Sequence, residues 1–453
     1  MPKKKTALTI EERLQQALVP AEEQPYKVPE NWVWVRLGAI AEIVTGGTPS
    51  KKHPEYYGGN FPFYKPSDLD QGRLTYDASE YLSEEGKNVS RIIPKNSTAV
   101  CCIGSIGKCG YLMCEGTTNQ QINSAIPKIN SLCLYYYLCT ENFVQDLLSM
   151  ASATTIAIVN KSKMESCAFP LPPLSEQQRI VERIEELLAK LDEAKERLQE
   201  VADSFAVRKA AILHKAFTGE LTKQWRWENG VSYESWEEKK GEDFFEYVTS
   251  GSRGWAKYYS DKGSIFIRMG NLNHGTIELD FSDIQYVELP DQVEGQRSKL
   301  QKNDILISIT ADVGMIALVR EDMDAYINQH VALARPKNDL YAEFLAWYFV
   351  SDDGLQQMQN KQRGATKIGL GLQDIRSIIL KIPTLPEQHE IVRLIDDLLA
   401  RERAAQQAAE QALASIDLMK KSILARAFRG ELGTNNACEA SALELLKQVL
   451  AEN

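Results

Sequence analysis

A chain of 453 residues has room for two or three domains, each with a full core. Its 43% hydrophobic and 25% charged content is that of an ordinary soluble globular protein. No apolar run approaches the roughly 20 residues of a membrane span, so no membrane partner is expected. The formal net charge of −10 argues against a protein that coats polyanions indiscriminately, since such proteins are usually basic. It still allows a local basic and polar surface for base reading, with the acid placed elsewhere, as in the Glu- and Asp-rich stretch from Glu176 to Glu200.

Taken in chain order, residues 1–28 form an N-terminal segment. MPKKKTALTIEERLQQALVP has basic residues but lacks the apolar stretch of a secretory signal. The next segment, 29–172, reads as mixed α/β. RLGAIAEIV and TAVCCIGSIG are β-rich, and LCLYYYLCTENFVQDLLSM is helical. Five of the eight cysteines, Cys101, Cys102, Cys109, Cys133 and Cys139, fall in its apolar runs at irregular spacing. They read as reduced thiols of a cytoplasmic protein. Residues 173–221 follow as a long helix, then a linker at 222–235. A second mixed α/β domain spans 236–383, with DILISITADVGMIALV as strands and LYAEFLAWYFVSDDGLQQMQ as helix. A second long helix covers 384–432, and ACEASALELLKQVLAEN in the tail, 433–453, reads as a short amphipathic helix that packs on a partner or on the first domain.

The chain is written twice. LPPLSEQQRIVERIEELLAKLD from Leu171 matches IPTLPEQHEIVRLIDDLLARE from Ile382, and AILHKAFTGEL from Ala211 matches SILARAFRGEL from Ser422. The offset is 387 − 176 = 211 at the glutamates heading the helices and 431 − 220 = 211 at those ending them. No insertion or deletion intervenes. Earlier pairs, such as Trp32 with Trp236 and Gly107 with Gly314, drift in offset between 204 and 209. A gap-free length has a physical role, whereas a drifting one marks a surface free to diversify.

Ser175 with Gln178, and Thr384 with Glu387, fit capping boxes. Gly219 and Gly430 suit the residue that closes a helix. About 40 residues at about 1.5 Å each make a rod of roughly 60 Å. In the first rod Ile180, Ile184, Leu187, Leu191, Ala194, Leu198, Val201 and Phe205 alternate four and three apart. That is a coiled-coil seam. The second rod is small in the middle, around Ala405, Ala409 and Ala412. Antiparallel pairing of the rods is therefore expected, with a domain at either end and a pseudo-twofold repeat.

The loops carry the residue types that read DNA. Arg and Lys meet guanine, Asn and Gln meet adenine, and Ser, Thr and backbone amides meet phosphates. In the first domain these are Thr45, Gly47, Thr48, Ser50, Lys51 and Lys52; Lys65 and Ser67; Ser105 and Lys108; and Asn119 with Gln120. In the second they are Ser252 and Arg253; Arg268 and Asn271; Thr310; Asn328 with Gln329; and Lys361, Arg363, Thr366 and Lys367 in NKQRGATK. Recurrence at matching places distinguishes these loops from ordinary solvated turns.

GSIGKCG lacks the spacing of a phosphate loop, and no Asn-Pro-Pro-aromatic segment is present to grip a flipped base. The five histidines are scattered and no cysteine pair is spaced C-x-x-C, so no metal site is expected. No catalytic residue is assigned.

The repeated P-L-x-x-Q-x-x-I heads, the A-F-x-G-E-L tails and the lead-in VPENWVWVRLG from Val28 resemble the specificity subunits of type I restriction–modification systems. The resemblance spans nearly the whole chain. It implies a non-catalytic, sequence-specific reader of double-stranded DNA whose two domains recognise a split, asymmetric site around a fixed spacer. It further implies two modification (methyltransferase) subunits and two restriction (translocase and nuclease) subunits as partners. S-adenosylmethionine, ATP and Mg would sit on those partners, with no cofactor on this chain. The repeated helix heads and tails, Glu176, Gln177, Phe217, Glu387, Gln388 and Phe428, are the expected docking positions. Two alternatives stay open: the same role in a methyl-only or phage-defence complex, and a coiled-coil scaffold whose domains bind protein.

Overall fold

A computed structural model of the chain describes residues 9–71, 74–152, 157–290, 295–363 and 369–452. It divides into two compact units, Met1–Leu198 with Gln411–Asn453, and Gln199–Glu410. Each unit is mixed α/β and joins one globular domain to parts of both long helical segments.

In the first unit Ala41–Thr45, Ile122–Pro127, Thr98–Cys101, Cys109–Leu112 and Leu74–Thr75 form a five-stranded sheet in that order. A three-stranded sheet runs Glu80–Leu82, Tyr57–Tyr64, Thr117–Thr118. In the second unit one four-stranded sheet runs Phe245–Ser250, Val331–Pro336, Ile305–Ser308, Ile316–Leu318. The other runs Tyr259–Ser260, Tyr286–Val287, Ser264–Ile267, Ala325–Ile327. In each domain the first strand pairs antiparallel with the last: Val33 faces Leu171, and Glu237 faces Ile382. That pairing returns the chain to where the domain began and delivers it to a long helix. RLGAIAEIV is only half strand, because Leu37–Ile40 makes a helical turn that buries Leu37 and Ile40 before the strand opens at Ala41.

The first helical segment is two helices, Leu174–Asp203 and Phe205–Phe217, whereas the second is one helix, Leu385–Ala427. The break at Ser204 has a local cause. The Ser204 hydroxyl donates to the carbonyl of Val201 at 3.1 Å and accepts from Arg208, competing with the helical ladder. The expected capping boxes do not form. The Gln178 amide donates to Glu182 at 3.0 Å, and the Glu387 carboxylate is drawn into the core. The closing glycines are as expected, with Gly219 at φ 77° and Gly430 at φ 74°, a region that favours glycine.

Both units contain an antiparallel helical pair. In the first unit Asp192 meets Lys420 at 2.5 Å and Arg179 meets Glu439 at 2.8 Å, so one number falls as the other rises. In the second unit Arg208 meets Glu402 at 2.5 Å and Arg226 meets Glu387 at 2.7 Å in the same sense.

Each tail closes the core of its unit. Phe428, fully buried, lies 5.1 Å from Tyr137, whose ring is 4.8 Å from Phe169. Phe217 lies 5.2 Å from Tyr348 and 5.3 Å from Phe344. Tyr137 donates its hydroxyl to the carbonyl of Ala168 at 2.8 Å, and Tyr348 to that of Ile379 at 2.8 Å. Both donors and both acceptors are 211 residues apart, so the gap-free repeat begins well before the helix heads. C-terminal helix Ala442–Ala451 packs on the first domain, burying Ala442 and Leu446 in the cluster that holds Ala17 and Trp32. Replacing a fully buried ring leaves a cavity, so Phe428→Ala is expected to cost about 3–5 kcal/mol in urea unfolding. A loss below about 1 kcal/mol would show that the tail does not close this core.

Candidate nucleic-acid interface

The loops predicted to read DNA converge at one edge in each domain. In the first, Gly47 donates its amide to Thr118 at 2.8 Å, and the Thr48 hydroxyl bonds the Gln120 side chain. A Cβ on Gly46 would stand 2.2 Å from the carbonyl oxygen of Asn119, so only glycine permits this approach. In the second domain Ser252 bridges Asn328, and a Cβ on Gly251 would stand 2.0 Å from the carbonyl of Ile327. Thr310 joins through His330 Nδ1 at 2.6 Å, and bridges from Gly369 to Thr310 and to Arg363 bring in the NKQRGATK loop. The first domain repeats this, with Ile103 and Ser152 both bridged to Ile158 beside Ser105.

The predicted residues separate by environment. Ser50, Lys51, Lys52, Ser67, Ser105 and Gln120 are exposed in the first domain, as are Arg253 and Arg363 in the second. Among the described residues Lys51, Lys52 and Arg253 take part in no ion pair. Arg363 meets Asp374 at 3.1 Å. Lys65 is paired to Glu80 at 2.7 Å, Lys108 to Asp70 at 2.5 Å and Arg268 to Asp283 at 2.8 Å. Gln329 and Lys361 are half-buried, and the Thr45 hydroxyl donates to Asn123 at 2.7 Å. Thr366 and Lys367 lie outside the described residues.

Three asparagines brace the loops from inside. Asn271 is buried and donates to the carbonyls of Asp280 and Asp283, both at 2.9 Å, while accepting from the amide of Arg268. In the first copy the Asp68 carboxylate likewise accepts from the amide of Lys65, so K-P-S-D and R-M-G-N are one turn. Asn119 and Asn328, also buried, accept from the backbone of Gln121 and His330. Their side-chain oxygens are engaged in holding the fold, whereas Gln120 is exposed and bonds only Thr48 among the described residues.

Two contributors escaped sequence reasoning. His330 and His274 both reach the 310–312 loop, His274 through Asp312 at 2.8 Å, though 56 residues separate them in sequence. The Ser152–Ile158 loop was also missed. The signal was present in S-A-T-T-I-A at 152–157 against G-A-T-K-I-G at 364–369.

The expected docking side chains need correction. Glu176, Gln177, Glu387, Gln388, Phe217 and Phe428 are all buried inside the chain, where no partner reaches them. Glu176 accepts from the indole of Trp32 at 2.7 Å, the amide of Asn435 at 2.9 Å and the hydroxyl of Thr434 at 3.3 Å. Glu387 accepts from Trp236 at 3.1 Å, Thr222 at 2.7 Å and the Arg226 guanidinium at 2.7 Å. Beside them Gln177 binds the amide of Asn130 at 3.1 Å and the carbonyl of Pro172 at 2.9 Å. Gln388 binds Tyr341 and Pro383, both at 2.9 Å. The E-Q pair is thus the internal fastening between domain, helix head and helix tail.

Two α/β domains, each built on the same fastening and each gathering polar loops at one edge, define a duplicated nucleic-acid reader. The sequence profile of the family described as "Type I restriction modification DNA specificity domain" matches residues 29–203 and 233–412. The chain belongs to this family, and so is a DNA-recognition subunit rather than a catalytic one. It is 28% identical over 460 residues to the type I restriction enzyme EcoBI specificity subunit of Escherichia coli, covering 94% of this chain and 93% of that one. It is 25% identical to the EcoKI specificity subunit of Escherichia coli K12, covering 94% and 96%. The fold matches the HsdS subunit of Thermoanaerobacter tengcongensis with a TM-score of 0.65 at 19% identity, over 90% of this chain and 99% of that one.

The two fastenings differ in charge, which sets their sensitivity. Glu387→Ala leaves the buried Arg226 guanidinium without its carboxylate and is expected to cost about 3–5 kcal/mol in denaturant unfolding. Glu176→Ala leaves only neutral donors unsatisfied, at about 1–3 kcal/mol. Equal losses would contradict this ranking.

Proposed function

We propose that the chain reads a split, asymmetric DNA site, each domain edge facing one half. The recurrence of the same loop edge in both domains, on the Gly46 and Gly251 approaches, carries this reading. Segments 29–172 and 236–383 act as the two target-recognition domains. Segments 173–221 and 384–432 act as a ruler, because their gap-free repeat holds length while the loops drift. A 43-residue helix spans about 65 Å, more than the 34 Å or so of one DNA turn.

The same reading gives two modification subunits two like docking faces. With the E-Q pairs and phenylalanines buried, the exposed apolar residues of the helices take that role. Val207 is 71% and Leu418 67% exposed, and they stand 418 − 207 = 211 residues apart. Two restriction subunits complete a cytoplasmic complex in which the partners bind S-adenosylmethionine, ATP and Mg.

Methylome sequencing of cells expressing this chain with its modification subunit should return a split motif with a fixed spacer. Exchanging residues 29–172 for a homologous domain should then alter one half only. An assembled complex that methylates nothing new would favour a protein-binding scaffold. Val207→Asp with Leu418→Asp should release the modification subunits in size-exclusion chromatography and leave stability within about 0.5 kcal/mol. An intact complex would place the docking face elsewhere.

A further inference from the structure

The gap-free repeat puts two pairs of side chains in register, and they differ in charge. Lys420 is the counterpart of Lys209, since 420 − 209 = 211, and Arg403 is the counterpart of Asp192, since 403 − 192 = 211. In the first unit the pair is an ion pair, with Lys420 Nζ 2.5 Å from Asp192 Oδ1. In the second unit the acid has become Arg403, so two cations line one cavity of about 480 Å³. Among the described residues no carboxylate forms an ion pair with either cation.

The cost falls on Lys209, since Arg403 is exposed and is attracted by the carboxylate of Asp396. Lys209 is half-buried, and its ammonium packs against the loop of Gly275, 3.1 Å from where a Cβ would stand. Its other near neighbour is the Trp347 ring, 5.8 Å away. Burial first, and the like charge of Arg403 second, hold its pKa below the usual lysine range. The carboxylate that does line the cavity, Glu410, is engaged by the Gln406 amide at 3.1 Å. His274, on the cavity's loop wall, is tied to Asp312, two residues from Thr310 on the DNA-reading edge.

We propose that this cavity of the second unit holds a phosphate group of the DNA backbone between Lys209 and Arg403, next to the reading edge. The inference rests on the DNA-reading function proposed above. It adds a contact that fixes position without reading sequence, since a phosphate looks the same beside every base. It also makes the two halves unequal: one repeat closes on its own ion pair, and the other closes on the ligand.

The test compares Lys209→Gln and Arg403→Asp with the parent chain, each assembled with its modification subunits, in anisotropy titrations of a duplex carrying the methylated motif. Arg403→Asp recreates the pairing of Asp192 with Lys420, so its Tm should equal or exceed that of the parent. Both variants should bind about tenfold more weakly at moderate salt, and the slope of log K against log salt should shrink by about 0.9, with the motif unchanged. Arg401→Asp changes the charge equally but lies outside the cavity and breaks only a surface pair with Asp397. It should leave the slope as it is. A slope unaltered in Lys209→Gln and Arg403→Asp, or reduced as much by Arg401→Asp, overturns the assignment. If instead inorganic phosphate raises the Tm of the parent but not of Arg403→Asp, while the salt slope stays constant, the site takes a free phosphate compound and the backbone assignment falls. A parent complex that binds no duplex would sink the DNA-reading function itself.

Discussion

The structure of each unit depends on a carboxylate taken out of water at the head of a long helix. Three segments remote in sequence must converge to satisfy it: the first strand region of a domain through a tryptophan, the helix head itself, and the stretch following a helix tail. A buried carboxylate left short of donors is strongly destabilising, so the convergence is all-or-none. The neighbouring glutamine adds a second condition, because its amide accepts from one segment and donates to another. The aromatic tail then fills the space beside the fastening. Domain, head and tail are consequently held in one register, and a length change in any of them would break several hydrogen bonds at once.

That coupling explains the two rates at which the repeat has drifted. Residues bound to the glutamines, Asn130 and Tyr341, and the tail rings Phe217 and Phe428 keep an offset of 211, whereas the tryptophans Trp32 and Trp236 stand 204 apart. Among the described residues the loop edge shares no hydrogen bond with the fastening, so its loops are free to change length. Within the edge only a few points are constrained. Gly46 and Gly251 allow two backbones to pass closely, and buried asparagines tie the turns. Of the remaining positions, Lys51, Lys52 and Arg253 are exposed and make no internal ion pair among the described residues. A surface of this kind can change its side chains without disturbing its support.

The duplication is less symmetric than its length suggests. Glu387 has a guanidinium for a partner, whereas Glu176 has only neutral donors. The first helical segment breaks at Ser204 and the second runs unbroken. The pair of Asp192 and Lys420 has Arg403 and Lys209 as its counterpart. The fastening is the feature that the two halves share.

The sequence by itself determined the duplication, the α/β character of the domains, the long helices, the closing glycines and the polar loop groups of each domain. All of these are written in local pattern: hydrophobic period, turn residues and a repeated motif carry their meaning within a few positions of each other. What it could not determine was the use of the motif's own side chains. Glu176, Gln177, Glu387 and Gln388 sit on helices rich in exposed charge, and a polar residue shows its burial only once its donors arrive from 100 or more residues away. The same limit separated Asn119, Asn271 and Asn328, which are consumed in bracing, from Gln120, which remains exposed. Only the tertiary structure decided these roles, because burial and hydrogen-bond satisfaction belong to the assembled neighbourhood and not to the residue.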